Sequence, residues 1–308
     1  MRKLKVAVIG IGYLGKFHAE KFIKNKYTDL VGVVDIDQKK CIEIKNKFNT
    51  NTFSNYKSIV DKVDAVSIVV PTNLHYRIAK YFIENNKHVF IEKPFTDSIL
   101  KAEKLEKLSK EKKIILQIGH IERFNKGFLL LNNRIKKPLF VECNRISPFK
   151  VRGTEVDVIM DLMIHDLDII FSLIKSKIKD IKANGVEVLT NSIDIAHARI
   201  TFNNGCICNL SSSRISNKVE RKMRVFQKNE YFSLDYQKCI LESYKKIKND
   251  NINSIFKEQK KFLNNDPLNE EIKSFINCIL NNKKPIVSAF DGKNALKYAI
   301  TISQLIKK

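Results

Sequence analysis

Three titratable residues stand at helical spacing in one short run, Asp161-Leu162-Met163-Ile164-His165-Asp166-Leu167-Asp168. On an α-helix Asp161, His165 and Asp168 occupy positions i, i+4 and i+7, one narrow stripe. Leu162, Met163, Ile164, Leu167, Ile169, Ile170 and Phe171 cover most of the remaining circumference. A helix apolar nearly all round is normally buried, so the stripe faces a cleft or an internal partner and not bulk water. A histidine between two carboxylates in such a place can move a proton near neutral pH. The same residues also suit a buried histidine that merely holds helices together, and the rest of the chain has to decide.

A second reactive group lies upstream. Glu92-Lys93-Pro94 ends an apolar stretch, 88–91, that reads as a strand. A lysine between such a strand and a proline is held over the C-terminal rim of a parallel sheet, where ligands bind. There it can bind a substrate hydroxyl or pass a proton. Pro71-Thr72-Asn73-Leu74-His75 lies at the end of another strand, 65–70, on the same rim. Thr72 is placed to cap the helix that follows. His75 is placed near a cofactor, although a purely structural role suits it better.

The elements that must position these groups follow a regular order. Residues 5–9 form a short apolar strand, 16–25 a helix and 30–34 a second strand ending at Asp35. Between the first two stands Gly10-Ile11-Gly12-Tyr13-Leu14-Gly15. In this G-x-G-x-x-G loop Gly10 permits the tight turn and Gly12 lets the main chain approach a pyrophosphate. Gly15 lets the helix pack on the strand, and the helix N-terminus faces the phosphates. Gly10, Gly12, Tyr13, Leu14 and Gly15 thus form the cofactor loop, and Pro71, Thr72, His75, Glu92 and Lys93 form its rim. Asp35 suits the ribose hydroxyls and would repel a 2′-phosphate, so NAD is favoured over NADP. Asp37 can share that role or cap the next helix, 38–48. Strands and helices then alternate to about residue 118, the pattern of a doubly wound parallel sheet.

After Gly119-His120-Ile121-Glu122-Arg123-Phe124-Asn125 the pattern changes. A helix should leave the sheet there, 139–146 reads as a strand, and from about 178 to 236 turn-separated strands follow one another, the mark of an antiparallel sheet and hence of an α+β domain. The stretch 238–263 is undecided, and helices follow at 270–280 and 294–306. The expected domains are 1–121 for the dinucleotide, 122–288 for substrate and assembly, and a C-terminal helix, 289–308, packing back on the first domain.

Composition narrows the classes. The chain has 308 residues and 44% apolar content, enough for two cores. Its net charge is +23, but the lysines are spread over every helix surface instead of forming one aromatic-interleaved patch, so specific nucleic-acid binding is not expected. No stretch has the length and apolarity of a membrane span, and the N-terminus lacks a signal-peptide pattern. Six dispersed cysteines, Cys206 and Cys208 among them, form no zinc pattern. No metal is expected, and a cytoplasmic location with reduced thiols fits.

Together the Gly10–Gly15 loop with Asp35, Pro71-Thr72 with His75, Glu92-Lys93-Pro94, and Asp161 with His165 resemble the Gfo/Idh/MocA oxidoreductase family over essentially the whole chain. The resemblance implies a Rossmann domain followed by an open antiparallel sheet, whose outer face builds homodimers or homotetramers. It implies an NAD-dependent dehydrogenase that oxidises a secondary hydroxyl of a sugar or nucleotide sugar. Lys93 and His165 would then act on that hydroxyl with the help of Asp161, and Asp168 becomes a structural partner. Residues 119–125, 152–154 and 161–168 are more narrowly similar to the branch that contains UDP-N-acetylglucosamine 3-dehydrogenases. Lys126 and Asn86 stand where that pattern has proline and glycine. Inositol dehydrogenases share the Asp-x-x-x-His element. Arg123, Asn125 and Arg152 are the candidates for the substrate's polar and anionic groups, and salt bridges are the alternative for the two arginines.

Overall fold

A computed structural model describes residues 2–149, 156–247 and 255–307. The chain divides into two compact units, 1–121 with 266–296, and 122–265 with 297–308.

The first unit is built on six parallel strands, β1 (Leu4–Ile9), β2 (Thr28–Val34), β3 (Asn51–Phe53), β4 (Ala65–Ile68), β5 (His88–Glu92) and β6 (Leu116–Gly119). Their order is β3-β2-β1-β4-β5-β6, the doubly wound arrangement with its switch point between β1 and β4. Val6, Val8, Ala65, Val66, Ile68, Val89, Phe90 and Ile91 are all buried, as a sheet covered on both faces requires. The covering helices are α1 (Tyr13–Lys24), α2 (Gln38–Phe48), α3 (Thr72–Glu84) and α4 (Ile99–Glu111). Asp37 caps α2 by accepting the Lys39 and Lys40 N–H groups, which settles its role as structural. Ser98 caps α4 in the same way.

A later helix, 267–280, belongs to this unit and not to the second, contrary to the expected boundary at 288. Its apolar residues Leu268, Ile272, Phe275 and Ile276 join one core with Leu4, Val6, Val8 and Phe22. Its amphipathic pattern states that it covers something apolar, but not which sheet.

The second unit opens with a 3₁₀ turn, Ile121–Phe124, in place of the expected helix start, and Asn125 then caps α5 (Lys126–Arg134). Among the described residues its sheet has eight strands: β7 (Pro138–Ile146), β8 (Ile178–Val186), β9 (Ile195–Phe202), β10 (Ile207–Ser213), β11 (Glu220–Gln227), β12 (Glu230–Asp235), β13 (Ile240–Lys246) and β14 (Ile255–Lys261). The order is β14-β13-β12-β11-β7-β10-β9-β8. All neighbours are antiparallel except β7 and β10, which run parallel. Burial alternates along β7, β9 and β10, so one face is packed and the other open. The Ile159–Met163 turn lies against β7 and β10, and α6 (Ile164–Leu173) follows it, with Asp166 bound to Arg145 of β7 and Phe171 against Phe202 of β9. The remaining helices are α7 (Pro267–Leu280) and α8 (Ala289–Ile306); α8 contributes its first residues to one unit and its last to the other. No helix among the described residues is long and apolar enough to cross a membrane.

Candidate active site

The glycine loop sits at the switch point of the first unit. Gly10 has φ +91°, and a Cβ there would lie 2.4 Å from the Val69 carbonyl oxygen that follows β4. A Cβ on Gly15 would meet the Gly10 carbonyl oxygen at 1.9 Å, so α1 is pressed directly on the turn. Gly12 differs, because nothing lies within 4 Å of its Cβ position. The loop is therefore crowded on the protein side and open where a ligand's phosphates would stand. Gly12 is also the cap position of α1 and brings no side-chain acceptor to the first turn at Tyr13 and Leu14. A helix N-terminus of this kind suits a phosphate.

Asp35 lies at the end of β2 and is tied into the same structure. One carboxylate oxygen accepts the Ile11 N–H at 2.7 Å and the other accepts the Asp37 N–H at 2.9 Å. These residues fit a dinucleotide: an open main-chain cradle, a helix N-terminus, and an acid fixed beside them.

On the rim, α3 starts at Thr72 with Pro71 in the cap position and without a side-chain cap. Thr72 is therefore not the cap expected, because the helix begins one residue earlier. His75 is buried, and its ring nitrogens lie 2.9 Å from the Pro94 carbonyl oxygen and 2.8 Å from that of Val70. Both ring nitrogens are engaged by main chain, so the cofactor role expected for His75 gives way to a structural one. Burial lowers the proton affinity of its imidazole.

Lys93 follows β5, is half-buried, and is joined to Pro94 by a cis peptide bond. Glu92, expected to touch the cofactor, instead faces inward. One carboxylate oxygen lies 3.0 Å from Nε2 of His18, and the other accepts the Lys93 N–H at 3.3 Å. Burial by itself would raise the Glu92 carboxyl, but the His18 hydrogen bond and the nearby His18 and Lys93 charges outweigh it and hold the group below its usual range. His18 went unnoticed in the sequence. Its position three residues after Gly15, on the inner side of a helix packed against the sheet, is the signal that would have found it.

In the second unit the Asp161–Asp168 run is not one regular helix. A π turn spans Ile159–Met163, with the Ile164 N–H reaching back to the Ile159 carbonyl, and α6 starts only at Ile164. The extra residue in that turn breaks the i, i+4, i+7 spacing of a regular helix between Asp161 and α6. Asp161 and His165 are half-buried across the junction, whereas Asp168 is 1% exposed. Turns of this type recur at functional sites.

Asp168 accepts from Nε and an NH₂ group of Arg123 at 2.6 and 2.9 Å. That buried bidentate pair replaces the substrate contact considered for Arg123. Asn125 is likewise corrected: its side-chain oxygen accepts the Gly127 and Phe128 N–H groups and caps α5. Arg152 lies outside the described residues. A further buried group was not foreseen: Arg145 binds Asp166 through Nε and one NH₂, and Glu122 through the other, at 2.8 to 3.2 Å. No cluster of three or more His, Cys, Asp or Glu among the described residues could hold a metal ion.

The first unit thus carries a glycine-loop cradle with a rim lysine, and the second carries Asp161 in a π turn with His165 at the start of α6. Residues 4–120 match the oxidoreductase family with an NAD-binding Rossmann fold, and residues 145–231 match the GFO/IDH/MocA C-terminal domain. The chain belongs to the Gfo/Idh/MocA oxidoreductase family, and a nicotinamide cofactor goes with that membership. It is 33% identical to a UDP-N-acetylglucosamine 3-dehydrogenase of Acidithiobacillus ferrooxidans, over 98% of this chain and 97% of that one. A solved structure of the UDP-N-acetylglucosamine 3-dehydrogenase from that organism matches with a TM-score of 0.93, covering 100% of this chain and 99% of the other. A scyllo-inositol 2-dehydrogenase (NAD(+)) of Bacillus subtilis is 26% identical over 97% of this chain and 92% of its own.

Proposed function

We propose that the protein is an NAD-dependent dehydrogenase that oxidises the C3 hydroxyl of UDP-N-acetylglucosamine. The observation that carries this reading is the 33% identity to a UDP-N-acetylglucosamine 3-dehydrogenase, which runs through both units. The weaker likeness to inositol dehydrogenases favours a polyol as the second reading. NAD is preferred over NADP because the fixed Asp35 carboxylate accepts from a 2′-hydroxyl and repels a 2′-phosphate.

The bound nicotinamide supplies the hydride acceptor. The chain supplies position, charge and proton transfer. His165 acts as general base toward the sugar hydroxyl, because an imidazole ordinarily titrates near the working pH. Asp161 orients His165 or binds a neighbouring hydroxyl. Lys93 stabilises the negative charge that develops on the oxygen and relays its proton. Arg152 is the remaining candidate for the diphosphate. The enzyme works as a homodimer or homotetramer in the cytoplasm, where six free cysteines are stable.

NADH formation followed at 340 nm with UDP-N-acetylglucosamine, other nucleotide sugars and inositols tests the substrate. Turnover of an inositol in preference to every nucleotide sugar would replace the first reading by the second. His165→Ala and Lys93→Met are each expected to lose about 10²–10⁴-fold in kcat while still binding NADH. Near-normal turnover in either variant removes that residue from the mechanism. Arg152→Ala should impair the nucleotide sugar and leave a sugar without the nucleotide unaffected.

A further inference from the structure

Two buried histidines hold the segment that carries Lys93, one on each side. On the C-terminal side, His75 lies against the Pro94 carbonyl. On the N-terminal side, His18 Nε2 lies against Glu92, and His18 Nδ1 is 2.9 Å from the Ser67 hydroxyl. His18 is 0% exposed and its ring stacks on Phe90, with centroids 5.3 Å apart. The order serine, histidine, carboxylate has the make-up of a nucleophilic relay. Ser67, however, is fully buried inside β4, and no substrate reaches its hydroxyl. The contacts form one chain that runs toward the rim, from the Ser67 hydroxyl to Nδ1 and from Nε2 to the Glu92 carboxylate. The second Glu92 oxygen then accepts the Lys93 main-chain N–H. The space for this carboxylate is kept by Gly119 on β6, where a Cβ would lie 3.0 Å from three Glu92 atoms.

We propose that His18 is a positioning residue for Lys93: it fixes the Glu92 carboxylate, and through it the main chain and the local charge beside the lysine. It does so from α1, the helix whose N-terminus forms the phosphate cradle, so the lysine and the cofactor loop are referenced to one rigid element. The proposal rests on the reading of Lys93 as catalytic. The charged and titratable groups that act on the carboxylate include His18 from α1, Lys93 from its own loop and His75 from α3; β6 places Gly119 against it, and the buried His120 follows directly. With His18 removed, burial dominates at Glu92 and the carboxyl takes up a proton at higher pH. The negative charge beside Lys93 is then lost at a pH where the intact protein retains it.

The test compares His18→Phe, which keeps a ring on Phe90 and removes both nitrogens, with His18→Gln, which retains an N–H donor toward Glu92. Glu92→Gln, the double variant His18→Phe/Glu92→Gln and Lys93→Met complete the set. For His18→Phe, kcat should fall about 10²-fold, the loss that a misplacement of about 1 Å produces. The KM for the sugar and the affinity for NADH should hold, and the acid limb of the kcat–pH profile should move to higher pH. His18→Gln should recover part of kcat. The double variant should be no worse than the poorer single one, because both act through one link. The proposal is overturned if His18→Phe lowers only the thermal midpoint and leaves kcat and its pH profile intact, or, should that variant not fold, if Glu92→Gln leaves both intact. A Lys93→Met variant with full turnover instead overturns the catalytic reading of Lys93, a separate result.

Discussion

The Asp35 carboxylate has two duties. It accepts the Ile11 N–H from inside the glycine loop, and its position at the end of β2 suits a ribose. Asp35→Asn keeps an acceptor for Ile11 and removes the charge, so the loop should persist while discrimination against the 2′-phosphate fades. The ratio of kcat/KM for NAD to that for NADP should fall by at least about tenfold, the effect of about 1.4 kcal/mol. An unchanged ratio would show that Asp35 serves only the loop. The types and spacing of Gly10, Gly12, Gly15, Asp35 and Lys93 were legible in the sequence because each answers to a local requirement of a turn or a strand end. The partners of polar residues were not. Arg123, Asn125, His75 and Glu92 all have types that suit ligands, and all four are engaged by groups that only the fold brings near: Asp168, the first turn of α5, two carbonyls and His18.

Two buried arginines hold α6. Arg145 on β7 binds Asp166, and Arg123 binds Asp168 two residues further on. Upstream of the π turn, Arg214 donates to Asp194, to the Val156 carbonyl and to the Thr190 and Ser192 hydroxyls. Arg145→Met would leave Glu122 and Asp166 buried without their cation, and such a loss costs about 3–5 kcal/mol. Chemical denaturation should register it, whereas removal of the surface pair Lys24–Glu20 should cost no more than about 0.5 kcal/mol. Equal effects would mean that the Arg145 cluster is not a structural anchor. Asp194 adds a pH dependence. Burial would raise its carboxyl, but the Val188 and Thr190 N–H groups, Arg214 and the Thr190 hydroxyl outweigh it and hold it well below the usual range. Because the folded state binds the proton more weakly than the unfolded chain, the carboxylate stabilises the fold above the ordinary value of about 4. That stabilisation is lost as the pH falls from there toward the folded value. Asp194→Asn should be less stable at neutral pH and lose less on acidification; parallel acid-unfolding curves by circular dichroism would count against this. Helical periodicity indicated an apolar helix at 161–171, and it could not indicate the π turn. Ile159 and Met163, the ends of that turn, are both buried, and the repeat of apolar residues is the same with or without it.

The parallel unit was readable because each strand, turn and helix announces itself locally. The second unit was less so, because pairs such as β7 with β10 join strands about 65 residues apart, and because α7 returns to the first core from the far end of the chain. One property of the whole molecule, the excess of 56 Lys and Arg over 33 Asp and Glu, bears on the choice between the two substrate readings. A field of this sign raises the local concentration of an anion and does nothing for a neutral polyol. A nucleotide sugar carries a diphosphate, and an inositol carries no charge. Salt shortens the reach of the field from about 30 Å at 0.01 M to about 3 Å at 1 M. With NAD held saturating at every ionic strength, cofactor capture drops out of the comparison. The kcat/KM for UDP-N-acetylglucosamine should then fall steadily with salt, while kcat stays level because the bound complex is already formed. The same titration with an inositol should be flat. If both substrates respond alike, or the nucleotide sugar does not respond, the basic surface is not a device for drawing substrate in, and the charge reflects only the abundance of lysine in the chain.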